Sequence, residues 1–300
     1  MQSLDSLQAF AIDGHVAFRT GPGGLPWIDL DGADGSASLC LQGAHLTRFQ
    51  PRAQAHPLLW LSPQARHARG RSIRGGVPVC WPWFGAHPAD GALPAHGFAR
   101  TVPWEVVDSG VADGVAQLTL RLCADDATRL MWPHDTPLEL YIEVGDALVL
   151  ELTTLNAGDA AVRIGEALHA YFTVGDIAEV EVLGLEGCRY LDKTQGFAAA
   201  QQQGPVRFTA ETDRIYVDTE TSCTIVDPQL LRRIVIDKSG SRSTVVWNPW
   251  QQRAQAMGDL GDDGWRRMLC VESANAADNT VELQPGDLHT LRVRYAAQAL

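Results

Sequence analysis

Apolar and polar residues alternate with a period of two over much of this 300-residue chain, as in AQLTLRLCA, PLELYIEVGDALVLELTTL and NTVELQPGDLHTLRVRY. Side chains of a β-strand point alternately to its two faces, so these runs predict strands with one buried face. Turn-forming residues punctuate the runs at VGD, NAGD, KSGS and QPGD. They predict that several neighbouring strands form antiparallel hairpins.

Helical periodicity is weak by comparison. No stretch of about 12 residues carries an apolar helical stripe, and only ADDATRLMW and WQQRAQAMGDL are compatible with short helices. No repeat or linker divides the chain. The sequence therefore predicts an all-β fold, a single domain over residues 1–300 built as a sandwich of antiparallel sheets. The glycine-, proline- and tryptophan-rich stretch 72–100 is expected to be an ordered loop region, where functional groups tend to concentrate.

Composition excludes several partners and sites. A formal net charge of −12 does not favour a broad basic surface, so binding to nucleic acid or to anionic membranes is not expected. The N-terminus lacks a signal-peptide pattern and no segment approaches a membrane span of about 20 residues, which predicts a cytoplasmic protein. Six dispersed cysteines without a C-x-x-C pair predict reduced thiols rather than a zinc site or a disulfide scaffold. A monomer is expected.

Charge is unevenly distributed along the chain. Residues 35–89 contain no Asp or Glu, where even spacing of the 36 acidic residues would place roughly six or seven. The same tract holds six arginines, which are Arg48, Arg52, Arg66, Arg69, Arg71 and Arg74. Most of them are expected to be solvated at the surface, but Arg74 lies inside the apolar segment IRGGVPVCWPWFG. We expect Arg74 to meet an anion without a competing carboxylate.

Three other segments place ionisable residues among apolar or tightly turned surroundings. PAHGFAR contains His96 and Arg100, LHAYF places His169 on a predicted strand, and MLCVESAN carries Glu272 directly after an apolar run. For His169 a satisfied core histidine is an open alternative. A buried carboxylate costs free energy unless it is hydrogen-bonded or used, so Glu272 is either functional or a turn cap. Asp213 in ETDRIYVDTE is otherwise an exposed strand residue.

Familiar cofactor and nucleophile motifs are missing, including G-x-G-x-x-G, G-x-x-x-x-G-K-[ST], G-x-S-x-G and H-E-x-x-H. The histidines lack metal-ligand spacing, so neither a metal nor a cofactor is predicted. Tryptophans cluster near the candidate segments at Trp81, Trp83, Trp247 and Trp250. Each could stack on a sugar ring or belong to the core.

Six segments taken together, IRGGVPVCWPWFG, LPAHGFAR, LHAYFTVGD, TDRIY, WNPW and CVESAN, resemble the hexose-6-phosphate mutarotase branch of the aldose 1-epimerase family. They occur in the family's order from about residue 44 to the C-terminus. The resemblance implies the galactose mutarotase-like β-supersandwich. It also implies interconversion of the α and β anomers of D-glucose 6-phosphate and related hexose 6-phosphates, without metal or cofactor.

The resemblance also implies roles for individual residues. Glu272 corresponds to the base that takes the proton of the C1 hydroxyl, and His169 to the acid that protonates the ring oxygen. Arg74 and Arg100 correspond to phosphate ligands, and Asp213 to a partner of sugar hydroxyls.

A further position, His96, is expected to line the same pocket. Some relatives carry Gln immediately before this histidine where this chain has Ala95, which leaves the preferred hexose open.

Two alternatives come from other functional classes. A non-catalytic sugar-phosphate-binding protein of the same fold would not need both His169 and Glu272. A glycoside hydrolase could use Glu272 and Asp213 as a carboxylate pair, but it would not need arginines for phosphate.

Overall fold

The computed structural model describes residues 2–300, and antiparallel strands make up most of the regular structure. This part of the chain contains three short α-helices, α1 Leu4–Leu7, α2 Asp126–Met131 and α3 Trp250–Met257. Its first strands are β1 Val16–Thr20, β2 Pro26–Asp31, β3 Gly35–Cys40, β4 His45–Pro51, β5 Val79–Cys80, β6 Trp104–Ala112, β7 Val115–Leu122, β8 Leu138–Val144, β9 Ala147–Leu155, β10 Val162–Ile164 and β11 Glu166–Leu168. The others are β12 Tyr171–Thr173, β13 Glu181–Leu183, β14 Arg189–Asp192, β15 Ala198–Gln201, β16 Thr212–Tyr216, β17 Cys223–Asp227, β18 Arg232–Ser239, β19 Ser243–Asn248, β20 Met268–Asn275, β21 Val281–Leu283 and β22 Leu288–Ala299. The predicted all-β class is confirmed.

One large sheet, called here the scaffold sheet, has eight strands in the order β13-β17-β18-β22-β9-β8-β7-β6. Its alternation follows the sequence pattern closely. In β8, for example, Leu138, Leu140, Ile142 and Val144 are buried while the residues between them are partly exposed. Every neighbouring pair in this sheet is antiparallel.

The second large sheet, called here the site sheet, has the order β15-β14-β16-β19-β20-β11-β5, with β12 also paired to β20. All eight residues of its central strand β20 are buried, because both faces of this strand are covered. The two large sheets pack against each other through a continuous apolar core. Phe172 of β12 meets Tyr295 of β22 edge to face, with ring centroids 5.1 Å apart.

Two smaller sheets complete the molecule, a four-stranded meander β1-β2-β3-β4 and the pair β10-β21. The shared core reaches from Leu7 to Tyr295 and includes Phe49 of the meander and Trp104 of the scaffold sheet. The antiparallel sandwich that the alternation predicted is thus confirmed. None of the described helices is long and apolar enough to cross a membrane.

Of the four turn signals, only VGD joins a hairpin, between β8 and β9. The hairpin interpretation is wrong for the other three. KSGS leads from β18 in the scaffold sheet to β19 in the site sheet, and NAGD and QPGD lead into and out of the small β10-β21 pair. A turn sequence reports that the chain reverses, but it does not report which sheet the next strand joins.

The predicted short helices correspond to α2 and α3. A capping box starts α2, in which the Asp125 side chain accepts from the Thr128 backbone N–H and the Thr128 hydroxyl accepts from the Asp125 N–H. Residues 72–100 form the predicted ordered loop region, and within them β5 is the one strand. This loop region lies against the site sheet, because β5 pairs with β11.

Candidate active site

A cavity of about 260 Å³ lies between the site sheet, the loop region 72–100 and α3. Its size suits one small polar molecule, since drug-sized ligands usually occupy about 300–1,000 Å³. All six residues that the sequence singled out line this cavity: Arg74, His96, Arg100, His169, Asp213 and Glu272. The structure therefore brings together side chains from five separate segments of the chain.

Strand register explains how the cavity floor is built. Val245 of β19 is paired with Glu272 of β20, and Trp247 of β19 is paired with Asp213 of β16 on one side and Cys270 of β20 on the other. Directly opposed residues of antiparallel strands point to the same face, so this face presents two carboxylates to the cavity. Glu272 lies inside β20 rather than at its end, so the turn-cap alternative is wrong.

His169 occupies a break between β11 and β12, where the sequence pattern predicted a continuous strand. The break is stabilised by hydrogen bonds from the His169 N–H to the Pro78 carbonyl and from the Ala170 N–H to the Leu168 carbonyl, at 3.0 and 2.9 Å. The imidazole stacks on Tyr171, with ring centroids 5.0 Å apart and planes within 10°. Its Nε2 atom lies 3.3 Å from Oε1 of Glu272.

Burial governs the protonation of this pair. It lowers the pKa of His169 well below the usual imidazole value, and nearby His96, Arg100 and Arg74 act in the same direction. Burial likewise raises the pKa of Glu272 well above the usual carboxyl value. The unliganded protein therefore favours a neutral imidazole beside a protonated carboxyl. This arrangement holds one proton between the two groups, as an imidazolium–carboxylate pair would.

Three buried polar atoms around the cavity have no hydrogen-bond partner within residues 2–300. They are Nδ1 of His169, Oδ1 of Asp213 and Oε2 of Glu272. The other carboxylate oxygen of Asp213 lies 2.8 Å from Nζ of Lys193. Buried polar groups without partners cost roughly 1–3 kcal/mol each, and their concentration at one cavity indicates a ligand rich in hydrogen-bonding groups.

Cationic side chains also line the cavity, and they are called here the cationic wall. Arg74 is partly buried, and its Nη1 donates to the Tyr171 hydroxyl at 3.0 Å. Its Nε donates to both carboxylate oxygens of Asp259, at 3.1 and 3.0 Å. The expectation that no carboxylate neighbours Arg74 is thus wrong. The acid-free tract removes acidic residues that are near in sequence, but Asp259 approaches from the segment after α3.

Arg100, the second predicted phosphate ligand, is held more loosely, since its Nη2 donates to the Ala95 carbonyl at 2.8 Å. The other five arginines of the acid-free tract are exposed at the surface, as predicted. Arg74 is therefore the one arginine of residues 35–89 that lines the cavity.

His96 adopts a left-handed backbone conformation with φ of 66°, which is uncommon outside glycine. Its N–H donates to the Gly85 carbonyl, and its ring lies 5.9 Å from that of His169. Burial lowers the pKa of His96 to about 3, with further lowering by Arg100, so this ring is neutral at physiological pH. A neutral imidazole can donate one hydrogen bond and accept another, but it supplies no charge to the cavity.

The glycines flanking the arginine segments do permit turns, since Gly76 and Gly97 have φ of 64° and 69°. A Cβ at Gly76 would lie 2.0 Å from the Leu46 carbonyl oxygen, and one at Gly97 1.9 Å from the Trp81 carbonyl oxygen. Both glycines therefore allow close packing of protein backbone behind the cavity.

Several lining residues were not predicted from the sequence, namely Tyr171, Lys193 and Arg253. Lys193 follows β14 in the turn DKTQG, a context in which lysine is usually solvated. Of the four tryptophans, Trp247 lines the cavity and Trp81 and Trp83 are core residues, whereas Trp250 packs against Trp265.

No metal is predicted from the sequence, but one group of side chains at the cavity contains atoms that could in principle bind a metal ion. Possible ligand atoms of His169, Cys270 and Glu272 lie within 4.8 Å of one another. Burial raises the pKa of the Cys270 thiol well above its usual value, which favours the neutral thiol, a poor metal ligand. These residues are a poor fit to a resident metal.

Comparison with known proteins gives a consistent result. The family model of aldose 1-epimerase matches residues 28–296. A protein from Escherichia coli K12, provisionally named glucose-6-phosphate 1-epimerase, is 39% identical over 257 residues, which cover 85% of this chain and 84% of the relative. A protein of the same provisional name from Salmonella typhimurium is 39% identical over 267 residues, or 88% of each chain.

Solved structures agree with the sequence relatives. The crystal structure of a provisionally named mutarotase from Salmonella typhimurium matches with a TM-score of 0.90 at 33% identity, over 99% of both chains. A galactose mutarotase-like protein from Clostridium acetobutylicum matches with a TM-score of 0.71 at 13% identity, over 95% of this chain and 98% of that one, and so shows the shared fold. The predicted galactose mutarotase-like architecture is confirmed. The chain belongs to the aldose 1-epimerase family and is an isomerase of the epimerase and mutarotase type.

Proposed function

We propose that this protein interconverts the α and β anomers of hexose 6-phosphates, with D-glucose 6-phosphate as the reference substrate. The observation that carries the proposal is the composition of one cavity. Its floor holds three unpartnered buried polar atoms, on His169, Asp213 and Glu272, and its wall holds the guanidinium groups of Arg74 and Arg100. A sugar ring supplies hydroxyls for the first set, and a phosphate supplies charge for the second.

The chemistry requires one base and one acid. The Glu272 carboxylate takes the proton of the C1 hydroxyl, the C1–O5 bond breaks as the C1 carbonyl forms, and O5 takes a proton from the His169 imidazolium. Rotation about C1–C2 and the reverse transfers close the ring as the other anomer. The 3.3 Å contact between His169 Nε2 and Glu272 Oε1 supports two groups acting as a coupled pair on a single hemiacetal.

The protonation of the unliganded pair matches the open-chain stage of this sequence, in which Glu272 is protonated and His169 is neutral. The ring-opening step needs the proton on His169 instead. A dianionic phosphate at Arg74 and Arg100 offsets the positive charges that lower the pKa of His169, and it thereby favours the imidazolium. The phosphate would thus serve both binding and activation.

The remaining residues fit supporting roles. Asp213 presents an unpaired Oδ1 for a sugar hydroxyl while Lys193 holds its Oδ2. His96 adds a neutral hydrogen-bonding ring beside Arg100. Ala95 offers no polar side chain where some relatives carry Gln, and its carbonyl orients Arg100, so the choice among hexoses falls to the other lining groups.

Exchange NMR of the anomeric protons provides the test. Anomers interconvert spontaneously, so the rate for glucose 6-phosphate is measured with protein and in buffer alone. We expect added exchange for glucose 6-phosphate and much less for glucose at the same concentration. Equal acceleration of both sugars would contradict the phosphate assignment, and absence of any added exchange would contradict catalysis and favour a binding protein.

A further inference from the structure

Asp259 lies behind the cavity wall and contacts the site through Arg74. The Arg74 Nε donates to both of its carboxylate oxygens, at 3.1 and 3.0 Å, and the two side chains are about equally exposed, at 27% and 28%. Asp259 does not itself line the cavity. This one N–H is shared between two oxygens in a three-centre hydrogen bond, which holds the Nε end of the guanidinium in position.

A second anchor holds the same guanidinium from the other side. The Arg74 Nη1 donates to the Tyr171 hydroxyl at 3.0 Å, and the Tyr171 ring stacks on the imidazole of His169. A guanidinium has five N–H donors, of which these two anchors use two. The other three, on Nη1 and Nη2, are left to meet a ligand in the cavity that Arg74 lines.

The backbone around Asp259 is fixed independently of its side chain. Gly258 ends α3 in a left-handed conformation, and Leu260 is fully buried beside Trp60. Ser62 links the two partners, because its hydroxyl donates to the Asp259 carbonyl at 2.6 Å and its N–H donates to the Arg74 carbonyl at 3.1 Å. Truncating the Asp259 side chain therefore leaves the main-chain contacts of this unit in place.

We propose that Asp259 and the Tyr171 hydroxyl are positioning residues that orient Arg74 toward the substrate phosphate, and that Asp259 thereby determines selectivity for phosphorylated over free hexose. The inference rests on the proposed mutarotase function. Two effects of Asp259 oppose each other, because its charge weakens the attraction of Arg74 for an anion while its geometry organises the guanidinium. With Asp259 removed, Arg74 would be more attractive at long range but free to leave the cavity wall. Orientation outweighs charge here because Arg74 needs a fixed plane to bind phosphate through two N–H groups.

The test is a double-mutant cycle on the full-length protein with glucose 6-phosphate, measured as anomer exchange. Asp259→Ala is expected to raise KM about tenfold with little change in kcat. In the Arg74→Ala background the same substitution should have no further effect, because Asp259 acts only through Arg74. Tyr171→Phe, which keeps the ring on His169 and removes the hydroxyl, should also raise KM.

Asp262→Ala is the matched control. Asp262 is an exposed carboxylate of the same loop and makes no ion pair within residues 2–300. It should leave KM and kcat unchanged. An unchanged or lower KM for Asp259→Ala would overturn the positioning role, and so would an equal loss in the Arg74→Ala background. If wild-type protein gave no added exchange at all, the proposed function would fail, a different outcome from wild-type exchange that is insensitive to Asp259.

Discussion

The two large sheets have the same number of strands but place their buried ionisable side chains differently. In the scaffold sheet the guanidinium of the buried Arg232 donates to the backbone carbonyls of His56, Pro57 and Thr173 at 2.7 to 3.1 Å, although its Nε has no partner within residues 2–300. In the site sheet the buried His169 and Glu272 each keep one polar atom without a partner. Arg232 lies away from the cavity and serves the fold, whereas His169 and Glu272 line the cavity, where an unpartnered polar atom is available to a ligand.

The strands and the loops around the cavity also differ in what they contribute. Strands β16, β19 and β20 fix the carboxylates by register, which leaves little freedom at the reacting atoms. Loops supply the cations, at Arg74 and Arg100, where exposure allows a charged ligand to enter. Strand register thus fixes the two carboxylates more rigidly than the loops hold Arg74 and Arg100.

The largest expected effect concerns Glu272, the proposed base. Glu272→Gln keeps the shape of the side chain but cannot accept the proton, so kcat for glucose 6-phosphate should fall by about 10²- to 10⁴-fold with little change in binding. Anomer exchange and a phosphate-binding titration measure the two quantities. Near-normal turnover in a folded variant would refute this role.

Glu166→Gln serves as the control, because Glu166 is a fully buried carboxylate of the same sheet that does not line the cavity. It contacts His289 and Asn275, both at 2.9 Å. We expect this variant to lose stability while its folded fraction retains kcat. Loss of kcat to the same degree as in Glu272→Gln would show that any change of a buried carboxyl group in this sheet abolishes activity, and Glu272 would then have no special role.

The next effect concerns the cationic wall. Arg74→Ala or Arg100→Ala should reduce kcat/KM for glucose 6-phosphate roughly 30- to 1000-fold, which corresponds to a loss of about 2–4 kcal/mol of transition-state stabilisation. The reduction of kcat/KM for glucose should be much smaller. Arg74 should give the larger loss because two side chains hold it in place. Arg71→Ala, an exposed arginine of the same tract, is the control. Equal losses on both sugars would assign these arginines to the ring or to the fold.

A smaller effect, on stability alone, is expected in the scaffold sheet. Arg232→Met keeps the aliphatic volume but leaves three carbonyls without their donor, which should lower the free energy of unfolding by about 2–4 kcal/mol. Urea unfolding measures it, with the exposed neighbour Arg233→Met as control. The folded variant should retain its rate of anomer exchange. A loss of this rate in a stable variant would show that the scaffold sheet also contributes to catalysis.

Periodicity predicted the scaffold sheet well because its strands are long and have one buried face, as in β8 and β9. It failed at His169, where the strand breaks so that its N–H reaches the Pro78 carbonyl, because a break of two residues, His169 and Ala170, keeps the period of two in the sequence. The six candidate residues could be named because their segments resemble a known family. Asp259 and Lys193 could not be found in this way, since each reaches its partner only through tertiary contacts that no local pattern records.

The smallest and most specific expected change is a shift in the titration of His169. Burial, together with His96, Arg100 and Arg74, lowers its pKa, so the imidazole of the unliganded protein should be neutral at pH 7 and should gain a proton only well below the usual value of about 6.5. Inorganic phosphate or glucose 6-phosphate should raise this pKa, because the anion offsets the arginines. Nitrogen NMR of the imidazole follows both states, and His169→Asn assigns the signal while removing most of the rate with little loss of stability. Since the active pair holds one proton, the rate should fall at low pH when the pair gains a second proton and at high pH when it loses its only one. An ordinary pKa in the unliganded protein, or no upward shift of the pKa with phosphate, would show that Arg74 and Arg100 do not influence the protonation of His169. Phosphate would then contribute to binding alone.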